Sequence, residues 1–344
     1  MKKFHFSFVV LMLFMAAARL YAVSTYKLVQ KIPVPGDGGW DYLTIDPDAR
    51  HLYISHSIRV QVMDIDQMKL IGEIPDTPGV HGIVLAPALN RGFTSNGKDN
   101  TVTIFDLKTL KVVDRVKVGG KNPDAILFDP ATQRVFTFNG KSSDATAIEA
   151  VNGTLAGHVA LGGKPEFAVT DAAGAIYVNL EDTSELLKLD SRKLTVKARW
   201  KLAPCEEPSA LAMDRASNRL FVGCGNKKMV VVDATSGKVV AAAPIGEHVD
   251  AAVFDPGAGQ VFFSNGDGTV TIIQEDALDA YHVVDNVPTQ VGARTLAFDT
   301  KTHRLFLADA DFGPAPPSTL EHPRPRPAIL PGMFFILVVA QNGK

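Results

Sequence analysis

Hydrophobic and polar residues alternate in short runs along most of the chain, and turns rich in Asp, Asn and Gly separate these runs. The stretch from Gly82 to Val118 is representative, because alternation at residues 82–85, 92–95, 101–107 and 111–118 predicts four strands. Asn96-Gly97 supplies a turn of the kind that connects hairpins. The same pattern recurs at residues 210–241 and 251–283. The chain is therefore predicted to be all-β, built from four-stranded units.

Each unit carries a turn residue, usually acidic, followed six or seven residues later by an aromatic residue in the next strand. The turn residues, spaced 40, 43, 42, 43, 41 and 44 residues apart, are Asp46, Ala86, Asp129, Asp171, Asp214, Asp255 and Asp299. The aromatic residues are Tyr53, Phe93, Phe136, Tyr177, Phe221, Phe262 and Phe306. Repeats of about 40–45 residues with four strands each are typical of β-propellers. We therefore predict a seven-bladed β-propeller.

The two ends of the chain complement each other. The last repeat has predicted strands at residues 295–298, 305–308 and 334–340 but no fourth strand, whereas residues 25–34 form a strand without a repeat of its own. Pairing these segments would complete the last blade and remove two exposed sheet edges. Between its second and third strands the last repeat has an insertion at residues 309–332 with seven prolines. We expect it to be either a functional loop over one mouth of the central channel or a surface loop.

The first 22 residues have the features of a secretory signal. Lys2 and Lys3 precede an unbroken apolar run of 11 residues, 8–18, and Ala22 offers a small residue at a cleavage point. The run is too short to span a membrane, which needs roughly 20 apolar residues. We expect residues 23–344 to be a single exported propeller, periplasmic or secreted, with no membrane span.

Charge and cysteine content narrow the class of protein further. Removing residues 1–22 takes away three basic and no acidic residues, which changes the net charge from −2 to −5. This balance, without a dense Lys/Arg patch, argues against a nucleic-acid partner. The only two cysteines, Cys205 and Cys224, fall at the same end of the fifth repeat, and we predict a disulfide between them in an oxidising compartment. We expect a monomer.

Several strand phrases resemble those of a known family. Leu52-Tyr53-Ile54-Ser55, Ile176-Tyr177-Val178-Asn179 and Leu220-Phe221-Val222-Gly223 are similar to the Tyr-Val-Thr-Asn repeat of the YncE-like, or YVTN, seven-bladed propellers. The turn at residues 233–238 is similar to theirs as well, and the resemblance covers the whole chain after the signal. It implies an exported binding scaffold without a general reaction. The repeat is structural and carries no catalytic residues to transfer.

Aligning the repeats places a set of polar residues at one end of the channel. The residues five positions before each turn residue, here called the ring positions, are Asp41, His81, Asp124, Glu166, Ser209, Asp250 and Arg294. Equivalent positions on seven blades should converge on the channel mouth. We expect His56 and Asn96 in loops between the second and third strands, and Glu206, Glu207 and His248 in loops between blades, to lie on the same face. Convergent polar groups at a concave opening predict a ligand site, although channels are often simply polar and wet.

The ring positions also suggest a divalent metal. Four carboxylates at equivalent positions would repel one another, and a cation would relieve that repulsion. Oxygen ligands favour Ca²⁺ or Mg²⁺, whereas the imidazoles of His81 and His56 would favour Zn²⁺ or Mn²⁺. The candidate metal ligands are Asp41, His81, Asp124, Glu166 and Asp250. Arg294 is a candidate for holding the carboxylate or phosphate of an anionic ligand.

Three classes of function fit these residues. The first is a binding module that holds a metal, a small molecule or a peptide at the mouth. The second is a metal-dependent hydrolase, such as a lactonase, because seven-bladed lactonases share this architecture. The third is a protein-interaction platform that uses the rim and the insertion. Sequence motifs for covalent haem, a nucleophilic serine or a P-loop are absent from the chain, so no motif selects an enzyme class.

Overall fold

Seven four-stranded antiparallel sheets are arranged around a central channel in the computed structural model, which describes residues 26–317 and 327–341. The innermost strand of each sheet contacts the innermost strand of the next, and the seventh contacts the first, so the ring is closed. The predicted seven-bladed β-propeller is confirmed. The predicted signal at residues 1–22 lies outside the described residues. No helix in the described part of the chain is long and apolar enough to cross a membrane.

The strands are numbered in chain order, and each blade runs from its innermost to its outermost strand. Blade 1 contains β2 (Trp40–Asp46), β3 (His51–His56), β4 (Arg59–Asp64) and β5 (Lys69–Ile74). Blade 2 contains β6 (Val80–Ala86), β7 (Arg91–Asn96), β8 (Thr101–Asp106) and β9 (Val112–Lys117). Blade 3 contains β10 (Pro123–Asp129), β11 (Arg134–Asn139), β12 (Asp144–Glu149) and β13 (Leu155–Ala160). Blade 4 contains β14 (Pro165–Thr170), β15 (Ala175–Leu180), β16 (Glu185–Asp190) and β17 (Thr195–Lys201).

The remaining blades follow the same plan. Blade 5 contains β18 (Pro208–Asp214), β19 (Arg219–Cys224), β20 (Lys228–Asp233) and β21 (Val239–Pro244). Blade 6 contains β22 (Val249–Asp255), β23 (Gln260–Asn265), β24 (Thr269–Ala277) and β25 (Ala280–Pro288). Blade 7 contains β26 (Thr295–Asp299), β27 (Arg304–Phe312), β28 (Ile329–Gln341) and, outermost, β1 (Tyr26–Pro33).

The N-terminal strand closes the ring as predicted. β1 pairs with β28 in antiparallel register from Tyr26 opposite Gln341 to Pro33 opposite Phe335. Tyr26 and Ile32 are buried at the two ends of β1, whereas the residues between them are exposed, as expected of an outermost strand. The first and last segments of the propeller therefore share one sheet, and the edges of β1 and β28 that face each other are hydrogen-bonded.

The residues that defined the repeat have the predicted structural roles. All seven repeat aromatics are at most 2% exposed and lie in the cores between neighbouring blades. Five of the six acidic turn residues hold the connection between the first two strands, because their carboxylates accept a hydrogen bond from the backbone N–H two residues ahead. The Asp46 carboxylate accepts from the amides of Asp48 and Ala49 at 3.0 and 2.9 Å. The repeat therefore specifies the scaffold.

A disulfide links Cys205 and Cys224, as predicted, with 5.4 Å between their Cα atoms. The bond joins the loop that enters blade 5 to the end of the second strand of that blade. Both cysteines are buried.

The insertion in blade 7 differs in part from the prediction of a loop over residues 309–332. β27 continues to Phe312 and β28 already begins at Ile329, and these two residues pair with each other. The ends of the insertion therefore form a hairpin, because the two extended segments satisfy each other's backbone hydrogen bonds. The Gly332 amide also donates to Asp37 at 3.1 Å, which ties the hairpin to the loop before β2. Residues 318–326, in its middle, lie outside the described residues.

Candidate metal and ligand site at the channel mouth

The ring positions lie where each innermost strand begins. Six of the seven are the second residue of their strand, and Arg294 immediately precedes β26. In those six blades the pairing with the second strand shifts register at this point, for example between Trp40 and Leu43 in blade 1. Such irregularities release a residue from the ladder and redirect its side chain. At the channel mouth the ring side chains therefore depart from the regular alternation of side chains along a strand.

Serine side chains hold the backbone in place at these irregularities. The Asp41 amide donates to Ser55 Oγ at 2.9 Å, and the Gly82 amide donates to Ser95 Oγ at 2.9 Å. The Ser95 hydroxyl in turn donates to the carbonyl of Asp124 in the next blade. Ser264 makes the corresponding bond to the carbonyl of Arg294. Because these serines are completely buried, they fix neighbouring ring residues relative to each other.

The ring residues surround a cavity of about 400 Å³, here called the acidic cup. The residues that line it are Asp41, Tyr42, Asp124, Lys164, Glu166, Phe167, Glu181, Glu207, Ser209, Gly225, His248, Val249, Asp250, Ala251, Arg294 and Thr295. Tyr42 and Phe167, from blades 1 and 4, stack across the channel with ring centroids 5.4 Å apart and planes inclined by 20°. The cup is therefore a polar cavity with an aromatic pair in its wall.

Asp41, His81 and Asp124 form the tightest group of potential ligands. One ligand atom from each lies within 4.8 Å of the others, so a single ion can contact all three. His81 Nδ1 lies 2.6 Å from Asp41 Oδ2 and 3.7 Å from Asp124 Oδ1. All three residues are half-buried. Two carboxylates and one imidazole form a donor set that suits Zn²⁺ or Mn²⁺.

Burial and mutual repulsion alter the titration of this group. Burial lowers the pKa of His81, but the hydrogen bond to Asp41 and the charge of Asp124 outweigh it, so the pKa is raised overall. Burial raises the pKa of Asp124 to about 7, with nearby Asp41 and Glu166 adding to the rise and His81 opposing it. Protons and a cation therefore compete for the same group near neutral pH.

The other predicted metal ligands line the cup with basic partners of their own. Lys164 Nζ lies 3.1 Å from Glu166 and also pairs with Glu181. Burial raises the pKa of Glu166, and Lys164 partly offsets that rise. Arg294 Nε lies 3.9 Å from Asp250, whose pKa burial raises to about 7. Neither Glu166 nor Asp250 joins the group of three, so the predicted five-residue metal set is divided between a compact group and two nearby carboxylates.

His56 does not lie where the sequence predicted. It is the last residue of β3 rather than part of a loop, and it is completely buried. Its Nδ1 lies 2.6 Å from Gln61 Oε1, and its ring packs against Phe334 at 4.4 Å. Asn96 is also buried, bonded through Nδ2 to Thr101 and Thr103 at 3.0 and 2.8 Å. The prediction failed because strand β3 and strand β7 extend through these residues, which places both side chains in the core.

The remaining predicted residues divide between the cup and the rim. His248 and Glu207 line the cup, whereas Glu206 lies in a shallow depression beside it. Sequence reasoning missed Tyr42, Phe167 and Lys164, although the first two directly follow ring positions. An aromatic residue there, in contrast to the small residues that follow most ring positions, was the available signal. Burial raises the pKa of Tyr42 well above its usual value, so its hydroxyl remains protonated among the carboxylates.

Comparison with known proteins shows the fold and nothing finer. No family profile matches the chain, and no curated protein matches it by sequence. A chain in the crystal structure of a mitotic checkpoint complex is similar, with a TM-score of 0.73, 13% identity, and 89% of this chain and 95% of that chain covered. Kuenenia stuttgartiensis hydrazine synthase is similar at a TM-score of 0.69 and 16% identity, with 80% and 94% covered. At these identities the likeness shows a β-propeller. The YncE-like resemblance stays a prediction.

Proposed function

We propose that the protein is an exported binding module of the YncE-like type that holds a divalent cation at the mouth of its channel. The observation that carries the proposal is the convergence of Asp41, His81 and Asp124, from three successive blades, to ligand atoms within 4.8 Å of one another. An acidic cluster alone is common, but this group also contains an imidazole, which protein metal sites use frequently.

The charges around the group favour a cation on this side of the acidic cup. Lys164 pairs with Glu166 and Glu181 on one side, and Arg294 lies beside Asp250 on another. Asp41 and Asp124 have only His81 as a cationic partner within 4 Å among the described residues. Once His81 loses its proton to bind a metal as neutral imidazole, two carboxylates remain to be balanced. A divalent ion supplies that balance.

The ion most compatible with these donors is Zn²⁺ or Mn²⁺. Ca²⁺ takes six to eight oxygen ligands, and Mg²⁺ prefers an octahedral shell of oxygens. Zn²⁺ takes nitrogen and oxygen ligands at about 2.0–2.2 Å and is commonly four-coordinate. Asp41, His81 and Asp124 would hold the ion through two carboxylate oxygens and one imidazole nitrogen. A fourth position would remain for water or a ligand.

The experiment is a calorimetric titration of the EDTA-treated, dialysed protein with Zn²⁺, Mn²⁺, Ca²⁺ and Mg²⁺ at pH 8. We expect one site per chain for Zn²⁺ or Mn²⁺, with affinity falling at least tenfold in Asp124→Asn. Asp48→Asn is the matched control, because its side chain is 92% exposed and lies in a turn of blade 1 outside the ring positions. The proposal is wrong if neither metal binds the parent protein, or if Asp124→Asn and Asp48→Asn bind equally well.

The export part of the proposal rests on the predicted signal at residues 1–22 and is supported by the Cys205–Cys224 bond, since disulfides persist mainly in oxidising compartments. Fractionation of cells that express the full chain, with N-terminal sequencing of the product, tests it. We expect a periplasmic or secreted product that starts at Val23. A cytoplasmic product that retains residues 1–22 would contradict it.

A metal-dependent hydrolase is the second candidate function. The observation that favours it is the presence of three ligand residues rather than four, because catalytic zinc sites keep one position open for water. The neighbouring carboxylates of Glu166 and Asp250 have raised pKa values, as general bases and acids near neutral pH often do. Lactone hydrolysis by the Zn²⁺-loaded parent, lost in Asp124→Asn and kept in Asp48→Asn, would favour the hydrolase over simple binding.

A further inference from the structure

A second cavity of about 400 Å³ lies beside the acidic cup and differs from it in chemistry. It is here called the aromatic pocket, and its lining residues are Gly39, Trp40, Gly292, Arg294, Phe312, Pro327 and Ile329. These residues come from the start of β2 and the loop before it, the loop before β26, and the hairpin at the two ends of the insertion. Arg294 is the one charged side chain among them, and it also lines the acidic cup.

The buried ring of Phe334 supports the aromatic residues of this pocket. The Trp40 ring stacks on Phe334 with centroids 5.3 Å apart and planes inclined by 29°, and Phe312 lies 6.2 Å away. Phe334 is 1% exposed and packs on the buried ring of His56. Because Phe334 is fixed in the core, Trp40 has a rigid support. Trp40 is half-buried and Phe312 is 38% exposed, and both line the cavity, so part of each ring is accessible to a ligand.

Arg294 has spare hydrogen-bonding capacity at the edge of the pocket. Its side chain is 47% exposed, and its ion pair with Asp250 is long, at 3.9 Å from Nε. Within the described residues no shorter polar contact engages its guanidinium. A guanidinium presents five N–H donors in a planar fork that matches a carboxylate bidentately.

We propose that the aromatic pocket binds a small apolar carboxylate, with its ring or branched body packed against Trp40 and Phe312 and its carboxylate on Arg294. A cavity of this volume, with mostly apolar residues and one charged side chain among its described lining residues, is typical of small-molecule sites. An amine would be repelled by Arg294, and a neutral molecule would gain no charge-assisted pair with the guanidinium, which would keep only water and its long ion pair with Asp250. The site is separate from the proposed metal group, so it does not depend on a bound cation.

The binding measurement uses tryptophan fluorescence. The chain has two tryptophans, and Trp200 lies on β17, the outermost strand of blade 4. In Trp200→Phe, Trp40 is the sole tryptophan and reports on the pocket directly. We expect 3-phenylpropionate, added to EDTA-treated protein, to change the emission saturably. The isosteric alcohol 3-phenylpropan-1-ol should bind at least tenfold more weakly, since a charge-assisted bidentate pair is lost, and 3-phenylpropan-1-amine more weakly still. Calorimetry on the unmodified chain repeats the comparison without the Trp200 substitution.

Two variants test the assigned contacts. Arg294→Gln should lower the affinity for 3-phenylpropionate at least tenfold, and Arg294→Lys should give an intermediate value because it keeps the charge without the fork. Gly39→Leu should place a bulky side chain in the pocket, because Gly39 lines it. The substitution should not disturb the fold, since a Cβ at Gly39 meets no atom within 4 Å and its backbone is not in the left-handed region. Gly39→Ala is the matched control and should bind like the parent. Zn²⁺ titration of each variant shows whether the acidic cup is intact.

The outcomes separate this proposal from the metal proposal. Loss of 3-phenylpropionate binding in Gly39→Leu and Arg294→Gln, with Zn²⁺ binding unchanged in Gly39→Leu, supports a carboxylate site of its own. The proposal is overturned if the parent does not bind 3-phenylpropionate or if the alcohol binds as tightly as the carboxylate. It is also overturned if Arg294→Gln or Gly39→Leu keeps the parent affinity. None of these results depends on whether a metal binds Asp41, His81 and Asp124.

Discussion

Replacing Asp250 by Asn should stabilise the metal-free protein at high pH. Asp250 lies in the acidic cup, and burial raises its pKa from an ordinary 3.8 to about 7 even though Arg294 opposes the rise. Between these two values the native state holds a proton that the unfolded state has lost, so stability falls as the pH rises from about 4 to about 7. Asparagine has nearly the same shape and no charge, and it removes this penalty.

The size of the effect follows from the displacement of the pKa. One pKa unit corresponds to about 1.4 kcal/mol. A rise of the Asp250 pKa from 3.8 to about 7 therefore lowers the free energy of unfolding by up to about 4 kcal/mol at pH 8. For a chain of this length roughly 2 °C accompanies each kcal/mol, so Asp250→Asn should melt about 6–8 °C higher than the parent at pH 8. At pH 4 the native carboxyl is protonated and the unfolded one is near its midpoint, so the difference between Asp250→Asn and the parent should be small and should shrink towards zero at lower pH.

The assay is thermal unfolding in EDTA at pH 4, 6 and 8, with Asp48→Asn as the control. Asp48 is exposed and pairs with Lys301 at 2.8 Å, so neutralising it should leave the melting temperature nearly unchanged at every pH, because exposed ion pairs contribute little to stability. The reasoning is refuted if Asp250→Asn melts at or below the parent temperature at pH 8. A gain of the same size at pH 4 and pH 8 would also refute it, because the gain would then not come from ionisation.

Further consequences concern the metal group and the scaffold. Zn²⁺ affinity should weaken as the pH falls from 8 to 6, because protons on Asp124 and His81 compete with the metal. Calorimetric titrations over this pH range test it, and an affinity that does not change with pH would contradict it. Ser95→Ala should lower Zn²⁺ affinity without removing a ligand, because Ser95 holds the Asp124 carbonyl, and unchanged affinity in the same titration would contradict that role. Deleting residues 25–34 should lower the melting temperature by removing the partner of β28, and an unchanged value would refute strand-completed closure. Reduction of the Cys205–Cys224 bond, which closes a separation of 19 residues, should cost on the order of 3 kcal/mol in denaturant unfolding, and equal midpoints with and without reductant would contradict it.

The fold was predictable because the same turn and core residues recur in seven repeats. An acidic turn residue such as Asp46 binds the backbone ahead of it, and an aromatic residue such as Tyr53 is buried between blades. The ring positions were predictable for the same reason, since equivalent positions in a closed ring must converge. Asp41, Asp124 and Asp250 accordingly line one cavity.

What the repeat could not predict is where individual blades depart from it. His56 occupies a position where a loop was expected, but β3 extends to include it and Phe334, from the far end of the chain, covers it. The aromatic pocket combines Trp40 with Phe312, which are 272 residues apart, and depends on the hairpin that replaced the expected loop. Such contacts depend on side-chain packing between distant segments, which spacing along one sequence does not encode.

The central claim is tested most directly by anomalous diffraction from a crystal of the EDTA-treated protein soaked in Zn²⁺. The account predicts an anomalous peak at the channel mouth, about 2.0–2.2 Å from a carboxylate oxygen of Asp41, a carboxylate oxygen of Asp124 and an imidazole nitrogen of His81. A peak that contacts only surface residues, or no peak near these three side chains at saturating Zn²⁺, would contradict the assignment of the acidic cup as a metal site.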